Sequence, residues 1–178
     1  MEKGYIHVYT GNGKGKTTAA FGLALRALCS GKSVYVGQFV KSMKYNETKI
    51  VELLSCRPQG FGNVCVEQFG NGCIFNRNYS AEDVRQAEIG LSRCLEIMAS
   101  GDWNVVVLDE IAIAIYLGLL TEEAVLNALQ LRHPAVEVVI TGRYASNGLI
   151  EMADLVTDMR EVKHYYTKGV LSRDGIDR

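Results

Sequence analysis

The sequence lacks the features that mark disulfide-stapled, fibrous and membrane-spanning proteins. Its 178 residues include only two prolines and five cysteines, and no two cysteines form a C-x-x-C pair. That pattern argues against a disulfide framework and a structural zinc site, and it favours a reducing compartment. The longest apolar run, residues 111–120, is much shorter than the roughly 20 residues that a transmembrane helix needs. We therefore expect a cytoplasmic protein that does not enter a membrane.

The sequence also lacks an excess of charge of either sign. It has 19 lysines and arginines against 20 aspartates and glutamates, a net charge of -1, so no global basic field attracts nucleic acid. Hydrophobic residues make up 48% of the chain and charged residues 22%, which is typical of folded globular proteins. Because neither a linker nor a repeat interrupts the sequence, we expect residues 1–178 to form a single domain.

Short β-branched or aromatic runs alternate with helix-length segments along the chain. Strands are predicted at Tyr5–Thr10, Val34–Phe39, Val64–Gln68, Val105–Leu108, Val136–Thr141 and Leu155–Thr157. Helices are predicted at Thr17–Cys29, from a Ser80 cap to about Ala99, at Glu122–Leu131 after a Thr121 cap, and at Asn147–Ala153. This alternation predicts an α/β fold with a mainly parallel central sheet flanked by helices.

Three further segments fit neither a strand nor a helix. Val40–Asn46 and Phe69–Tyr79 each follow a predicted strand. They are predicted to be substrate loops, because open α/β sheets bind ligands outside the carboxyl ends of their strands. Residues 163–178 carry charges scattered among glycines, and we expect a surface tail or a segment that depends on a partner.

The segment between the first predicted strand and helix has the pattern of a phosphate-binding loop. Its residues are Gly11, Asn12, Gly13, Lys14, Gly15, Lys16, Thr17 and Thr18. In such a loop backbone N–H groups point at phosphate oxygens, Lys16 neutralises phosphate charge, and Thr17 offers its hydroxyl to Mg²⁺. The loop is one residue shorter than the usual G-x-x-x-x-G-K-[ST] spacing. A glycine-rich turn with incidental lysines is the alternative interpretation.

Two carboxylates end the predicted strand Val105–Leu108. Asp109 and Glu110 would lie at the same sheet edge as the loop, where one carboxylate can hold Mg²⁺ or its water shell beside Thr17. The other can complete the coordination or position a reactant. Acidic residues at strand ends are also common in α/β proteins without such a site, so the prediction depends on the phosphate loop.

A cation follows the predicted strand Val136–Thr141. Arg143 comes after Thr141-Gly142 at the expected catalytic edge. Its guanidinium group matches phosphate oxygens, and its charge would stabilise a phosphate leaving group. A solvated arginine at a strand end is the alternative.

Taken together, these motifs resemble the P-loop class of ATP:corrinoid adenosyltransferases, which act on cob(I)alamin or cob(I)yrinic acid a,c-diamide. The shortened phosphate loop is itself a feature of that family. The resemblance covers most of the chain and rests on Gly11–Ala20, Leu25–Leu28, Gln38–Lys41, Leu108–Glu110, Thr141–Arg143 and Ala153–Met159.

The resemblance implies a RecA-like P-loop fold, a homodimer and an enzyme of cobalamin biosynthesis or salvage. Such an enzyme transfers the 5′-deoxyadenosyl group of ATP to the cobalt(I) of a corrinoid and releases triphosphate. Cobalt(I), made by an electron donor, is itself the nucleophile, so the protein needs only positioning and electrostatics. The implied catalytic residues are Lys16, Arg143 and Glu110, and Lys14 joins Mg²⁺ in neutralising the triphosphate.

The chain departs from the family pattern at the corrinoid side and in the tail. Where many members carry an aromatic pair as G-F-x-W, this chain reads Gly72-Cys73-Ile74-Phe75, so Phe75 is predicted to contact the corrinoid, with core packing as the alternative. The ending at residues 169–177 matches the family's ending only in part.

A P-loop phosphotransferase or ATPase is the competing enzyme, since the same loop and carboxylates serve phosphoryl transfer. A nucleotide-dependent switch or a nucleic-acid binder is a further alternative.

Overall fold

The computed structural model describes residues 2–41, 45–54, 59–71 and 79–177. These residues form a six-stranded sheet with helices on both faces. The strands are β1 (Ile6–Thr10), β2 (Val34–Phe39), β3 (Val64–Phe69), β4 (Val105–Asp109), β5 (Glu137–Thr141) and β6 (Leu155–Asp158). The helices are α1 (Lys16–Cys29), α2 (Ile50–Leu53), α3 (Ala81–Ser100), α4 (Ile111–Tyr116), α5 (Glu122–Gln130) and α6 (Asn147–Met152), and short 3-10 helices cover Asn46–Lys49 and Tyr165–Lys168.

All six predicted strands and all four predicted helices are confirmed, and their ends agree with the prediction to within one residue. The predicted start of α3 is confirmed in detail, because Ser80 and Asp83 form a capping box. The helices α2 and α4 were not predicted. Helix α4 gives no periodic signal because four consecutive residues, Ile111 to Ala114, are all buried.

Every strand pairing in the sheet is parallel, which confirms the predicted α/β class. The strand order is β3-β2-β4-β5-β1-β6. Parallel strands bring their carboxyl ends to one edge, so the segments that follow β1, β2, β4 and β5 meet there. Because β5 lies between β1 and β4, the segment after β5 lies between the phosphate loop and the two carboxylates.

The two faces of the sheet are covered unequally. Helix α1 packs its alanines, Phe21 and Leu28 against valines of β2, β4 and β5 on one face. Helices α3, α4, α5 and α6 cover the other face and form the larger apolar cluster. All six residues of β2 are buried, whereas all four residues of the edge strand β6 are exposed. No helix in the described ranges has both the length and the apolar character needed to cross a bilayer.

Candidate active site

The phosphate loop connects β1 to the start of α1. Gly11 and Gly15 have φ of 94° and 120°, a region that side chains disfavour. A Cβ atom on Gly11 would lie 2.1 Å from Oδ1 of Asp158, so this position has no room for a larger residue. The first turn of α1 carries no acidic residue, and no side chain caps the helix. Its N-terminal N–H groups are therefore suited to bind an anion.

Lys16 is folded into this loop. Its side chain is buried, and its ammonium group donates to the carbonyl oxygens of Gly11 and Gly13, both at 2.7 Å. These bonds use two of its three donors. Burial holds the pKa of Lys16 below its ordinary value. The charge of Lys16 is thus placed inside the loop, where it would face a bound phosphate.

Asp109 lies at the centre of a buried hydrogen-bond network. Its Oδ1 atom accepts from the hydroxyls of Thr17 at 2.8 Å and Thr141 at 2.7 Å. Its Oδ2 atom accepts from Nε2 of Gln38 at 3.0 Å and Nζ of Lys41 at 2.7 Å. Burial alone would raise the pKa of Asp109, but the Lys41 charge and these hydrogen bonds together hold it below its ordinary value. Both oxygens of this ionised carboxylate are occupied by protein donors.

Lys41 lies in the predicted substrate loop Val40–Asn46, but it was not predicted individually as a site residue. The Lys41 side chain is 16% exposed and lines the cavity described below, and its ammonium group lies 3.5 Å from the Thr17 hydroxyl. Burial opposes its charge, but Asp109 raises its pKa above the ordinary value. A lysine two residues after the buried strand β2 was the signal in the sequence that could have identified it.

Glu110 differs sharply from the adjacent Asp109. Its backbone has a φ of 63°, a strained value for a residue with a side chain. Its N–H donates to the Thr141 hydroxyl at 2.9 Å, but its carboxylate accepts no hydrogen bond from the described residues. Burial, and next the charge of Asp109, raise the pKa of Glu110 above its ordinary value. A strained and partly buried carboxylate without a protein donor is typical of a functional group.

Several of these residues line a cavity of about 650 Å³. Of the predicted site residues, Gly13, Lys14, Gly15, Lys16, Thr17, Thr18, Glu110 and Arg143 line it. Among the predicted residues that the structure describes, Gly11, Asn12 and Asp109 are outside the lining, with Asp109 bonded to Thr17. Arg143 is exposed to the cavity, and its charge contributes to the lowered pKa of Lys16. Phe75 lies outside the described residues, so its predicted corrinoid contact stays a prediction.

The segment 163–177 belongs to the region predicted to be a surface tail or a segment that depends on a partner, and it forms another wall of the same cavity. Tyr165, Tyr166, Val170, Ile176 and Asp177 are among its lining residues. None of the side chains in this segment is buried, in agreement with a surface position. The segment nevertheless packs beside the phosphate loop, and this contact was not predicted from the sequence.

Comparison with known proteins identifies the family. The family described as ATP:corrinoid adenosyltransferase BtuR/CobO/CobP matches residues 2–177. This chain belongs to that family. The resemblance predicted from the motifs is therefore confirmed over nearly the whole chain.

Relatives of similar length support the assignment. A corrinoid adenosyltransferase of Pseudomonas aeruginosa is 36% identical over 176 residues, covering 99% of this chain and 84% of that protein. One of Sinorhizobium sp. is 37% identical over 181 residues, covering 99% and 81%. One of Escherichia coli (strain K12) is 36% identical over 177 residues, covering 99% and 86%.

In this adenosyltransferase family member, the residues around the phosphate loop fit a magnesium ion only in part. Mg²⁺ prefers oxygen ligands and often takes one or two from the protein and others from substrate phosphates and water. Thr17 and Glu110 both line the cavity, and their side-chain oxygens suit this role. Asp109 is already occupied by four donors, so it would act through Thr17. No group of three or more histidine, cysteine, aspartate or glutamate side chains suited to a metal occurs among the described residues.

Proposed function

We propose that this protein transfers the 5′-deoxyadenosyl group of ATP to the cobalt(I) centre of a corrinoid and releases triphosphate. Membership of the adenosyltransferase family supports the reaction class. The observation that carries the proposal is the cavity itself, because the phosphate loop, Glu110 and Arg143 all line it. Its volume of about 650 Å³ is within the range of nucleotide-sized ligand sites.

The corrinoid substrate brings the nucleophile. An electron pair of cobalt(I) forms the cobalt–carbon bond to C5′, and the bond from C5′ to the triphosphate oxygen breaks with its electrons on the leaving group. No general base is needed, since no proton is removed from the nucleophile. The protein's tasks are to orient ATP with C5′ toward the metal and to stabilise the negative charge that develops on triphosphate.

The residues of the cavity suit the second task. The N-terminal N–H groups of α1 and the ammonium group of Lys16 would bind the phosphates. Arg143 would contribute a guanidinium group to the departing triphosphate, which is most negative after the bond breaks. Lys41 adds a fixed positive charge beside Thr17, and we propose that it belongs to the same phosphate environment.

A magnesium ion fits this proposal as a companion of ATP. Thr17 and Glu110 would hold it, with Asp109 fixing the orientation of the Thr17 hydroxyl. When bound, Mg²⁺ neutralises phosphate charge and so supports triphosphate as a leaving group. The raised pKa of Glu110 suits this role, because a bound cation would offset the burial and the Asp109 charge that raise it.

Other parts of the proposal rest on the resemblance alone. A homodimer, an electron donor that produces cobalt(I), and a corrinoid contact by Phe75 are expected from the family. The exposed edge strand β6 is available to a partner, since its residues Leu155 and Val156 are 43% and 41% exposed.

The test is incubation of the protein with MgATP and chemically reduced cob(I)alamin. The corrinoid spectrum and the phosphate products are followed together. Formation of adenosylcobalamin with one equivalent of triphosphate is the expected result. Production of ADP without adenosylcorrinoid would replace the proposal with phosphoryl transfer or ATP hydrolysis.

A further inference from the structure

The segment 163–177 is held over the cavity by a small number of polar contacts. Because none of its side chains is buried, apolar packing contributes little to its position. Its hydrogen bonds to the rest of the described chain come from two side chains, Lys14 and Asn46. Asn46 donates to Asp174 at 2.9 Å, and Lys14 makes the remaining contacts.

Lys14 is saturated by this segment. Its ammonium group donates to the Tyr165 hydroxyl at 2.9 Å, to the Ile176 carbonyl oxygen at 2.8 Å and to the Asp177 carboxylate. An ammonium group has three donors, so none remains for a phosphate oxygen while these bonds exist. The lysine that the sequence predicts as a phosphate ligand is therefore committed to another partner.

Asp177 is fixed from several sides as well. Besides Lys14, it accepts from the Tyr165 hydroxyl, from the backbone N–H of Arg173 and from Nε of Arg173, the last two at 3.0 Å. The Arg173 guanidinium group also lies over the Tyr165 ring, 4.6 Å from its centre. Lys14, Tyr165, Arg173 and Asp177 thus form one connected cluster with a formal charge of +1, from two cations and one carboxylate.

We propose that Lys14 is a positioning residue that acts on ATP through segment 163–177, with Asp177 as its anchor, rather than through direct contact with phosphate. The inference rests on the proposed function and adds a role for this segment. Tyr165, Tyr166, Val170 and Ile176 give the cavity an aromatic and apolar wall, which suits the adenosine part of ATP. The phosphate loop and Lys16 suit the triphosphate part.

A competing arrangement gives the opposite behaviour. If the triphosphate displaced Asp177 from Lys14, ATP would release the segment instead of binding beneath it. Removing the Asp177 charge would then free Lys14 and tighten ATP binding. The two arrangements therefore differ in the sign of a measurable effect.

The test is a double-mutant cycle on the Kd of MgATP, measured by calorimetry without corrinoid on the full chain. Lys14→Met and Asp177→Asn should each raise the Kd roughly three- to tenfold, as expected for a partly exposed ion pair with further hydrogen bonds. The double variant should bind no more weakly than either single variant, because both changes remove one tether. Any other pattern overturns the proposal, including tighter binding by Asp177→Asn or losses that add in the double variant.

Limited trypsin digestion gives a second readout that does not depend on affinity. Lys163, Lys168 and Arg173 provide cleavage sites within the segment. Both single variants should be cleaved there faster than the wild type, and saturating MgATP should slow cleavage of the wild type. A cleavage rate that MgATP raises or leaves unchanged overturns the proposal.

Two control variants each remove one charge outside the cluster, so they show whether a change in net charge alone alters the Kd of MgATP. Lys32→Met removes a partly exposed lysine just beyond the carboxyl end of α1, and Glu161→Gln removes an exposed carboxylate two residues before the segment. Both controls should keep the wild-type Kd. If the protein binds MgATP but forms no adenosylcorrinoid, the proposed function fails while this test remains valid.

Discussion

The cavity has two walls that are built in opposite ways. The inner wall includes Thr17 and Lys41, which line the cavity and bond to the buried Asp109 carboxylate behind them. Gln38 and Thr141 bond to the same carboxylate from behind the lining. The outer wall is the segment 163–177, which has no buried side chain. Four hydrogen bonds to Asp109 hold the inner wall in place, whereas the outer wall is hydrogen-bonded to the rest of the described chain through Lys14 and Asn46 alone.

This difference separates two tasks of the same site. Electrostatic stabilisation of a leaving group needs charged groups that do not move during the reaction. The buried hydrogen bonds around Asp109 hold Lys41 and Thr17 in fixed positions. Entry of ATP and exit of triphosphate need a wall that opens at low energetic cost, and exposed ion pairs are worth little in water. We therefore expect substitutions in the inner wall to affect stability and those in the outer wall to affect binding.

The largest effect is expected from Asp109→Asn. The substitution removes one partner of the buried ion pair with Lys41 and turns an amide N–H₂ toward groups that are themselves donors. We expect a loss of about 3 to 5 kcal/mol in the free energy of unfolding. Urea denaturation at pH 7 measures it. A loss below about 1 kcal/mol would show that the inner wall is not held by this carboxylate.

The next largest effect is expected from Lys16→Ala. Its charge is placed within the phosphate loop, and a charge-assisted contact to phosphate is worth about 1.5 to 3 kcal/mol. MgATP binding should weaken, and single-turnover adenosylation should fall roughly 100-fold or more, because the same charge supports the leaving group. Near-normal adenosylation by a folded Lys16→Ala variant would contradict the phosphate-loop assignment.

Arg143 tests whether an exposed cation can contribute to the chemistry of the inner wall. Arg143→Ala should lower the single-turnover rate roughly 10- to 100-fold at saturating ATP, with a smaller change in ATP affinity. Arg143→Lys should restore only part of the rate, since lysine supplies the charge without the planar guanidinium group. Equal rates for all three proteins would make Arg143 a surface cation with no role in the reaction.

Glu110→Gln should separate function from stability. Because the folded-state pKa of Glu110 is raised, its contribution to stability is present below its unfolded pKa and is lost as pH rises through the folded value. The neutral variant should therefore be more stable than the wild type at pH 8, and this gain should vanish near pH 4. Urea denaturation at both pH values measures the difference.

The same variant should need more magnesium. A carboxamide is a weaker ligand for Mg²⁺ than a carboxylate, so the Mg²⁺ concentration for half-maximal adenosylation should rise several-fold. Arg143→Lys is the control, since it changes the site without touching the proposed ligands. An unchanged Mg²⁺ titration would place the metal elsewhere.

The comparison of the two walls also explains what the sequence could predict. The phosphate loop, the strand that ends in Asp109-Glu110 and Arg143 were predicted because each motif is local, and parallel strands bring such motifs to one edge. The network around Asp109 was not predicted, since Gln38 and Lys41 belong to β2 and the segment after it, Thr141 belongs to β5, and they meet Asp109 only after folding. The outer wall was predicted only as a surface tail or a partner-dependent segment, and its position over the site was missed because its contact with Lys14 spans more than 150 residues.

The smallest effect is expected from Asp174→Asn, which makes the same chemical change as Asp109→Asn in the outer wall. Asp174 is exposed and accepts one hydrogen bond from Asn46, and an amide oxygen can keep that bond. The free energy of unfolding should therefore change by less than about 0.5 kcal/mol, as for most surface substitutions. The pair of variants is measured in parallel urea titrations at pH 7. A loss at Asp174 comparable to that at Asp109 would mean that the outer wall is part of the cooperative core, and the division between a fixed and an opening wall would be wrong.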